Sequence, residues 1–380
     1  MPYDLSGAAL ERSVSMVLAG GVALGAYEAG AFAALHAQAG LRPGWLAGSS
    51  IGAVNAAIVA GSPPDRQIER LRQFWDAMAS DPLPFTSFWL GHPAAGLWRQ
   101  ALNERSVMDT LLLGRPGLFR PRLAPGFQIG VQDVPALFDL APLRDRLGQL
   151  VDFDLLNSGA TRLSLCCTDV VSGDRVVFDT GRGDRIGVEH VLASCALLPL
   201  FAPVEVGGRL LADGGLAANT PLDLVLDDLV SDGGADREML CFVVELFARQ
   251  GSRSHTLAAS ASRAGDLAFG NQTRRILEGR QREHRLRGLI GRLAIHLSPE
   301  VRQDAEVAAI PAEGRTDRTS VVTIAYRAGL DEAGLFKVFD FSRATLNDRW
   351  NAGEAAMRDA ATTAGLAPSN PSTMLDVVDA

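Results

Sequence analysis

The sequence predicts an α/β protein of three layers, with helices on both faces of a central, mostly parallel sheet. Three observations carry that expectation. Short apolar runs alternate with longer helical ones, the order that builds parallel sheets. The connections between them are glycine turns or nothing at all. Hydrophobic residues make up 47 % of the 380, enough for one sizeable core.

Taken in order, residues 14–19 read as a short buried strand that Gly20 and Gly21 end, and a small-residue helix follows to about 38. Residues 44–49 read as a second strand, and a helix over 51–60 starts with no loop between. The stretch 81–135 differs. It is rich in proline, carries Phe85, Phe88, Trp89, Trp98 and Phe127, and has weak periodicity. It reads as a cap or lid, as a membrane-touching surface, or as an irregular insertion with its aromatics packed on the core. Regular structure returns with a strand at 161–168, a turn at 172–174 and a return strand at 175–180. Residues 188–197 look helical and stop before Pro199. Further strands are expected at 209–212, 240–247 and 320–327, and helices at 255–292 and 340–364. The reading is one domain over 14–365, with tails at 1–13 and 366–380.

Charge and cysteine usage narrow the function. The net charge is −8, so the basic excess of a nucleic-acid binder is missing. Lys337 is the single lysine, and arginine supplies the other positive charges. Cys166, Cys167, Cys195 and Cys241 lack Cys-x-x-Cys spacing and read as buried free thiols in a reducing compartment. Residues 14–27 lack the basic start of a signal peptide. Residues 43–64 are uncharged and long enough to span a bilayer, yet their serines, Asn55, glycines and prolines fit a buried strand-turn-helix better. The cytoplasm is the default address.

Chemistry is concentrated in three short blocks. Gly48-Ser49-Ser50-Ile51-Gly52 matches Gly-x-Ser-x-Gly between an apolar strand and an alanine-rich helix, the context of a nucleophile elbow. A serine on so sharp a turn presents its hydroxyl at a helix N-terminus, where backbone amides favour negative charge. Gly20 to Gly25 follows the first strand, and its backbone N–H groups suit an oxyanion hole. A phosphate loop is excluded there: Ala26-Tyr27 stands where Lys and Ser or Thr belong, so no nucleotide is expected. Asp213-Gly214-Gly215 follows a strand and can hold a carboxylate rigidly. None of the six histidines (His36, His92, His190, His255, His284 and His296) lies in a catalytic context, so Asp213 would serve Ser50 directly as base.

These blocks together resemble those of bacterial patatin-like phospholipases. The run from Leu18 to Gly30 is similar to their first block. Gly48 to Gly52 with Ala53-Val54-Asn55-Ala56 is similar to their nucleophile block. Asp213-Gly214-Gly215 with Asn219 and Pro221 is similar to their aspartate block, and Ala193 to Val204 to the segment before it. The resemblance implies a patatin-like fold, a Ser50–Asp213 dyad without histidine, and no metal or cofactor. It also implies hydrolysis of lipid ester bonds, with oxyanion donors at Gly21, Val22 and Gly20 and the elbow glycines Gly48 and Gly52. This chain departs from the family's Gly-Gly-Gly-x-Arg-Gly pattern, with Val22 and Leu24 in place of the third glycine and the arginine; Leu200 stands where glycine is frequent.

The expected partner is a lipid substrate. Peripheral membrane contact stays open, because residues 274–292 hold seven arginines against Glu278 and Glu283. Such a helix suits either an anionic membrane surface or a solvated face with internal ion pairs. Two alternatives to the dyad hydrolase remain at this stage, a histidine-triad esterase of the α/β-hydrolase type and a lipid-binding module without catalysis.

Overall fold

The computed structural model describes residues 12–38, 41–81, 95–122, 136–231, 238–248, 257–302, 307, 318–327, 334–366 and 375–379. Among them the expected three-layer α/β/α architecture is observed. The strands of the main sheet are β1 (Arg12–Leu18), β2 (Trp45–Ser49), β3 (Arg162–Asp169), β4 (Arg175–Asp179), β5 (Val204–Val206), β6 (Arg209–Asp213), β7 (Glu238–Glu245), β8 (Arg318–Ala325) and β9 (Leu375–Asp379). They form a nine-stranded sheet in the order β9-β8-β7-β1-β2-β3-β6-β5, with β4 paired to β3 off that path. From β9 to β3 every pairing is parallel. Beyond β3 the pairings turn antiparallel.

Parallel strands buried on both faces read as apolar runs, and the end of β1, Met16-Val17-Leu18, does. Met16 and Leu18 enter the larger core cluster with Phe32, Ile58, Phe74 and Trp350. Val17 points the other way, into a cluster with Trp45, Leu222, Val225 and Leu277. The larger cluster is covered by α1 (Gly25–His36), α2 (Ile51–Ala60), α3 (Gln67–Met78), α5 (Ala141–Leu150) and α9 (Arg343–Leu366); α4 (Leu97–Leu113) adds Val107 to it and α6 (Val188–Ser194) adds Val191 and Leu192. The opposite face is covered by α7 (Leu222–Ser231) and α8 (Leu257–Ile295).

Small residues let two helices cross closely. A Cβ on Gly30 of α1 would lie 2.0 Å from the Trp350 carbonyl oxygen of α9, and one on Gly353 would lie 2.0 Å from the Tyr27 carbonyl oxygen. Neither atom can give way, because both are backbone.

One expectation needs correction. The tail expected over 366–380 is not loose at Leu375–Asp379, which pairs in parallel with β8 from Thr319↔Leu375 to Thr323↔Asp379. The run Leu375-Asp376-Val377-Val378-Asp379 is too short to display a period, so its pairing is legible only once the edge of β8 is in place. Of the expected cap, 82–94 and 123–135 lie outside the described residues, Phe85, Phe88, Trp89 and Phe127 among them. Of the rest, Leu97–Leu113 forms α4, which inverts the usual sidedness, and the segment after it buries Leu118 and Phe119 in the core. Arg99, Asn103, Ser106 and Thr110 are buried, while Leu97, Trp98, Leu112 and Leu113 are exposed. The buried polar side is satisfied: Arg99 donates to Thr345 and Asp348, and Ser342 donates to Asn103.

Candidate active site

The register of β3 decides where the two candidate catalytic side chains meet. β4 occupies one edge of β3, pairing residues 164–168. On the other edge β2 runs alongside as far as Ser49↔Cys166, and β6 arrives from the opposite direction, ending at Cys167↔Asp213. Two strands thus meet end to end along one edge, and their C-termini deliver Ser50 and Asp213 to the same point.

Ser50 sits between β2 and α2 with φ 54° and ψ −124°, a left-handed conformation that is strained for a residue with a side chain. Backbone held in such a region costs about 1–3 kcal/mol and persists only where its surroundings enforce it. They do so here. The Ser50 N–H donates to Ser194 Oγ at 3.0 Å, and that hydroxyl donates to the Cys166 carbonyl at 2.7 Å. Cys195 Sγ donates to the Ser50 carbonyl at 3.3 Å. The elbow glycines are needed for space: a Cβ on Gly52 would lie 2.5 Å from the Leu18 carbonyl oxygen, and one on Gly48 would lie 2.6 Å from the Gly52 carbonyl oxygen. Helix α2 therefore starts pressed against β1. Ser194 and Cys195 as elbow supports are not visible in the sequence, since neither has a chemical signature at that distance along the chain.

Asp213 is buried, at 2 % exposure. Its carboxylate accepts the Gly215 N–H at 2.6 Å, and the Ser50 side chain beside it is a second donor that favours its charged form. Its own backbone is pinned, the N–H to Ala196 O at 3.0 Å and the carbonyl to Thr168 Oγ1 at 2.9 Å. Burial pushes its pKa up to about 6, against the opposing pull of those two donors.

The glycine loop lies over the pair. Asn219 clamps Gly20 from both sides: the Gly20 N–H donates to the Asn219 carbonyl at 3.0 Å, and Asn219 Nδ2 donates to the Gly20 carbonyl at 3.1 Å. This corrects one expected oxyanion donor, because an amide already committed to a carbonyl is not available to a reacting oxygen. Gly20 is required for space instead: a Cβ there would lie 2.5 Å from Asn219 Oδ1 and 3.0 Å from Ser50 Cβ. Val22 holds a positive φ of 49°. For the amides of Gly21 and Val22 no acceptor is found among the described residues.

Beneath the loop, Glu28 is fully buried, and burial raises its pKa well above the carboxylate range. Asn55 Nδ2 donates to Glu28 Oε2 at 3.1 Å and to the Gly25 carbonyl at 3.0 Å, and Trp75 Nε1 donates to Asn55 Oδ1 at 3.1 Å. This network ties the loop to α2 and α3. Among the described residues no histidine bonds Ser50 or Asp213. His190 accepts from the Gly187 N–H and packs edge-to-face with Phe178, a packing role. His92 and His255 lie outside the described residues. The four cysteines are buried and free, as expected.

Residues 16–226 match a family model described as patatin-like phospholipase, and residues 267–367 match a second, described as patatin phospholipase. No curated protein matches the sequence. Among solved structures the chain is similar to VipD from Legionella pneumophila, at 15 % identity and a TM-score of 0.40, over 93 % of this chain and 67 % of that one.

Proposed function

The chain belongs to the patatin-like phospholipase family, whose members are lipid acyl hydrolases, and on that premise we propose that it cleaves carboxylic esters of lipids through a Ser50–Asp213 dyad. What supports the reading above all is the placement of an elbow serine beside a buried carboxylate, where β2 and β6 meet end to end along β3. Asp213 takes the hydroxyl proton as Ser50 Oγ attacks the acyl carbonyl. The carbonyl π electrons move to oxygen, and the oxyanion rests on the amides of Gly21 and Val22. Collapse breaks the ester C–O bond, and the leaving alkoxide takes the proton from Asp213. Water then yields a proton to Asp213 and attacks the acyl-enzyme. The second collapse returns that proton to Ser50 and frees the fatty acid.

A carboxylate with a pKa near 6 suits this role better than an ordinary one. It is ionised at neutral pH yet basic enough to accept a proton in the transition state. An active-site fluorophosphonate is expected to label the purified protein, and labelling is lost in Ser50→Ala. Labelling undiminished in that variant would falsify the assignment of the nucleophile.

A further inference from the structure

We propose that the outer half of α8 is a docking surface for an anionic lipid bilayer. The helix runs 39 residues, about 58 Å at ~1.5 Å per residue. Its inner side is covered: Asp266, Thr273, Leu277 and His284 are buried, and their spacing keeps them on one face. The opposite side carries Leu286, Leu289 and Leu293, which are 54 %, 40 % and 66 % exposed. Three leucines at intervals of three and four form a stripe, not scattered surface residues.

Charge on this helix is unevenly paired. Glu278 pairs with Arg274, Glu283 pairs with Arg280 and Arg287, and Asp227 pairs with Arg280. Arg275 and Arg282 lie on the leucine side, Arg285 and Arg292 flank it, and among the described residues no acidic partner is found for them. Glu283 and Asp227 thus neutralise arginines flanking the buried side, Arg274 and Glu278 cancel each other, and the leucine face keeps a positive excess on a chain of net charge −8. A second copy laid on that face would set arginine against arginine. A nucleic acid would neutralise the arginines and leave the leucines in water. An anionic bilayer satisfies both, with guanidinium groups at the phosphates and leucines at the acyl boundary.

The purpose of such docking rests on the hydrolase reading, since the substrate would be drawn from the same bilayer. The inner end of the helix is fixed beside the site. Gln272 Oε1 accepts from the Asn219 N–H at 2.9 Å, and Phe269 packs on Phe247 with ring centroids 4.9 Å apart. From Gln272 to Leu289 the helix extends about 25 Å.

The test is flotation of the full chain with vesicles of phosphatidylcholine alone or with phosphatidylglycerol, alongside turnover of a short-chain, water-soluble ester. Binding is expected only to the anionic vesicles, weakening with salt. It should fall about fivefold for each arginine neutralised, the effect of one basic residue near an anionic surface. Arg282→Gln/Arg285→Gln/Arg292→Gln should thus lose about a hundredfold, and Leu286→Ser/Leu293→Ser should also release the protein, both with soluble-ester turnover intact. Equal binding to both vesicle types, no binding by the wild type, or wild-type binding by either variant would overturn the proposal. So would a solution dimer that the leucine variant dissociates. Vesicle binding by Ser50→Ala is expected to match the wild type. A wild type that docks but never cleaves the soluble ester leaves docking standing and removes the hydrolase reading.

Discussion

Burial of Asp213 has two consequences of opposite sign, and both can be measured. Its folded-state pKa of about 6 lies above the ordinary carboxylate value of 3.8. The native state therefore binds more protons than the unfolded chain between those two values, and stability falls as pH rises through that window. Above pH 6 the ionised, buried carboxylate costs the fold up to about 3 kcal/mol, since each tenfold change in proton affinity is worth ~1.4 kcal/mol. The proposed mechanism needs that same ionised form, so kcat/KM is expected to rise with pH through one ionisation near 6 and then level off. Asp213→Asn keeps an oxygen to accept from the Gly215 N–H but cannot take a proton. It is expected to be inactive at every pH and to melt higher than the wild type at pH 8. At pH 4, where the wild-type carboxyl is itself protonated, that difference should largely vanish. Equal melting temperatures at pH 8 would mean that Asp213 is not held against its own charge.

At the scale of elements, the strands and helices that carry chemistry are the most legible in the sequence. The runs 14–19, 44–49 and 51–60 differ from β1, β2 and α2 by a residue or two, because an apolar strand ending in glycine or serine and followed at once by alanines has few other readings. Ser50 and Asp213 stand out for the same local reasons. Their meeting does not. It depends on β6 entering antiparallel on the edge that β2 leaves, a matter of register across more than a hundred residues. Gly20 reads wrongly as a donor because the sequence cannot say that Asn219 already occupies its amide. Helices α3 and α5 go unread although Leu71, Phe74, Trp75 and Met78, and Leu143, Leu147 and Leu150, keep helical spacing; both lie between stretches that carry the chemistry. The crossing of α1 and α9 is equally silent in the sequence, and it sets a test. Gly to Ala inside a helix ordinarily gains about 1 kcal/mol. Gly279→Ala in α8, with open space around the new methyl, should show that gain. Gly30→Ala should instead lose about 1–3 kcal/mol, the usual range for overpacking, because its methyl meets the Trp350 carbonyl. Thermal denaturation of the two variants side by side reads the sign directly.

The molecule as a whole divides into a parallel half that supplies the elbow and the glycine loop and an antiparallel end that supplies the carboxylate, with α8 laid across the opposite face. How firmly α8 is seated bears on both the site and the proposed docking surface, because Gln272 and Phe269 belong to it. One interaction that seats it is the only lysine of the chain. Lys337, in the 3-10 turn Gly334–Phe339, donates to Asp266 Oδ1 of α8 at 2.8 Å, with side chains only 6 % and 12 % exposed. A buried pair of this kind adds little over a well-packed apolar pair, since both charges have left water; its strength appears when one member is lost. Asp266→Ala strands a buried ammonium and is expected to destabilise the protein by about 3 kcal/mol or more. Lys337→Met strands the carboxylate and should act similarly. The double variant Asp266→Leu/Lys337→Met leaves neither charge and should recover most of the loss. If the double variant is as unstable as the two singles combined, the pair does not act as a unit, and α8 is held chiefly by its apolar contacts through Leu277 and Phe269.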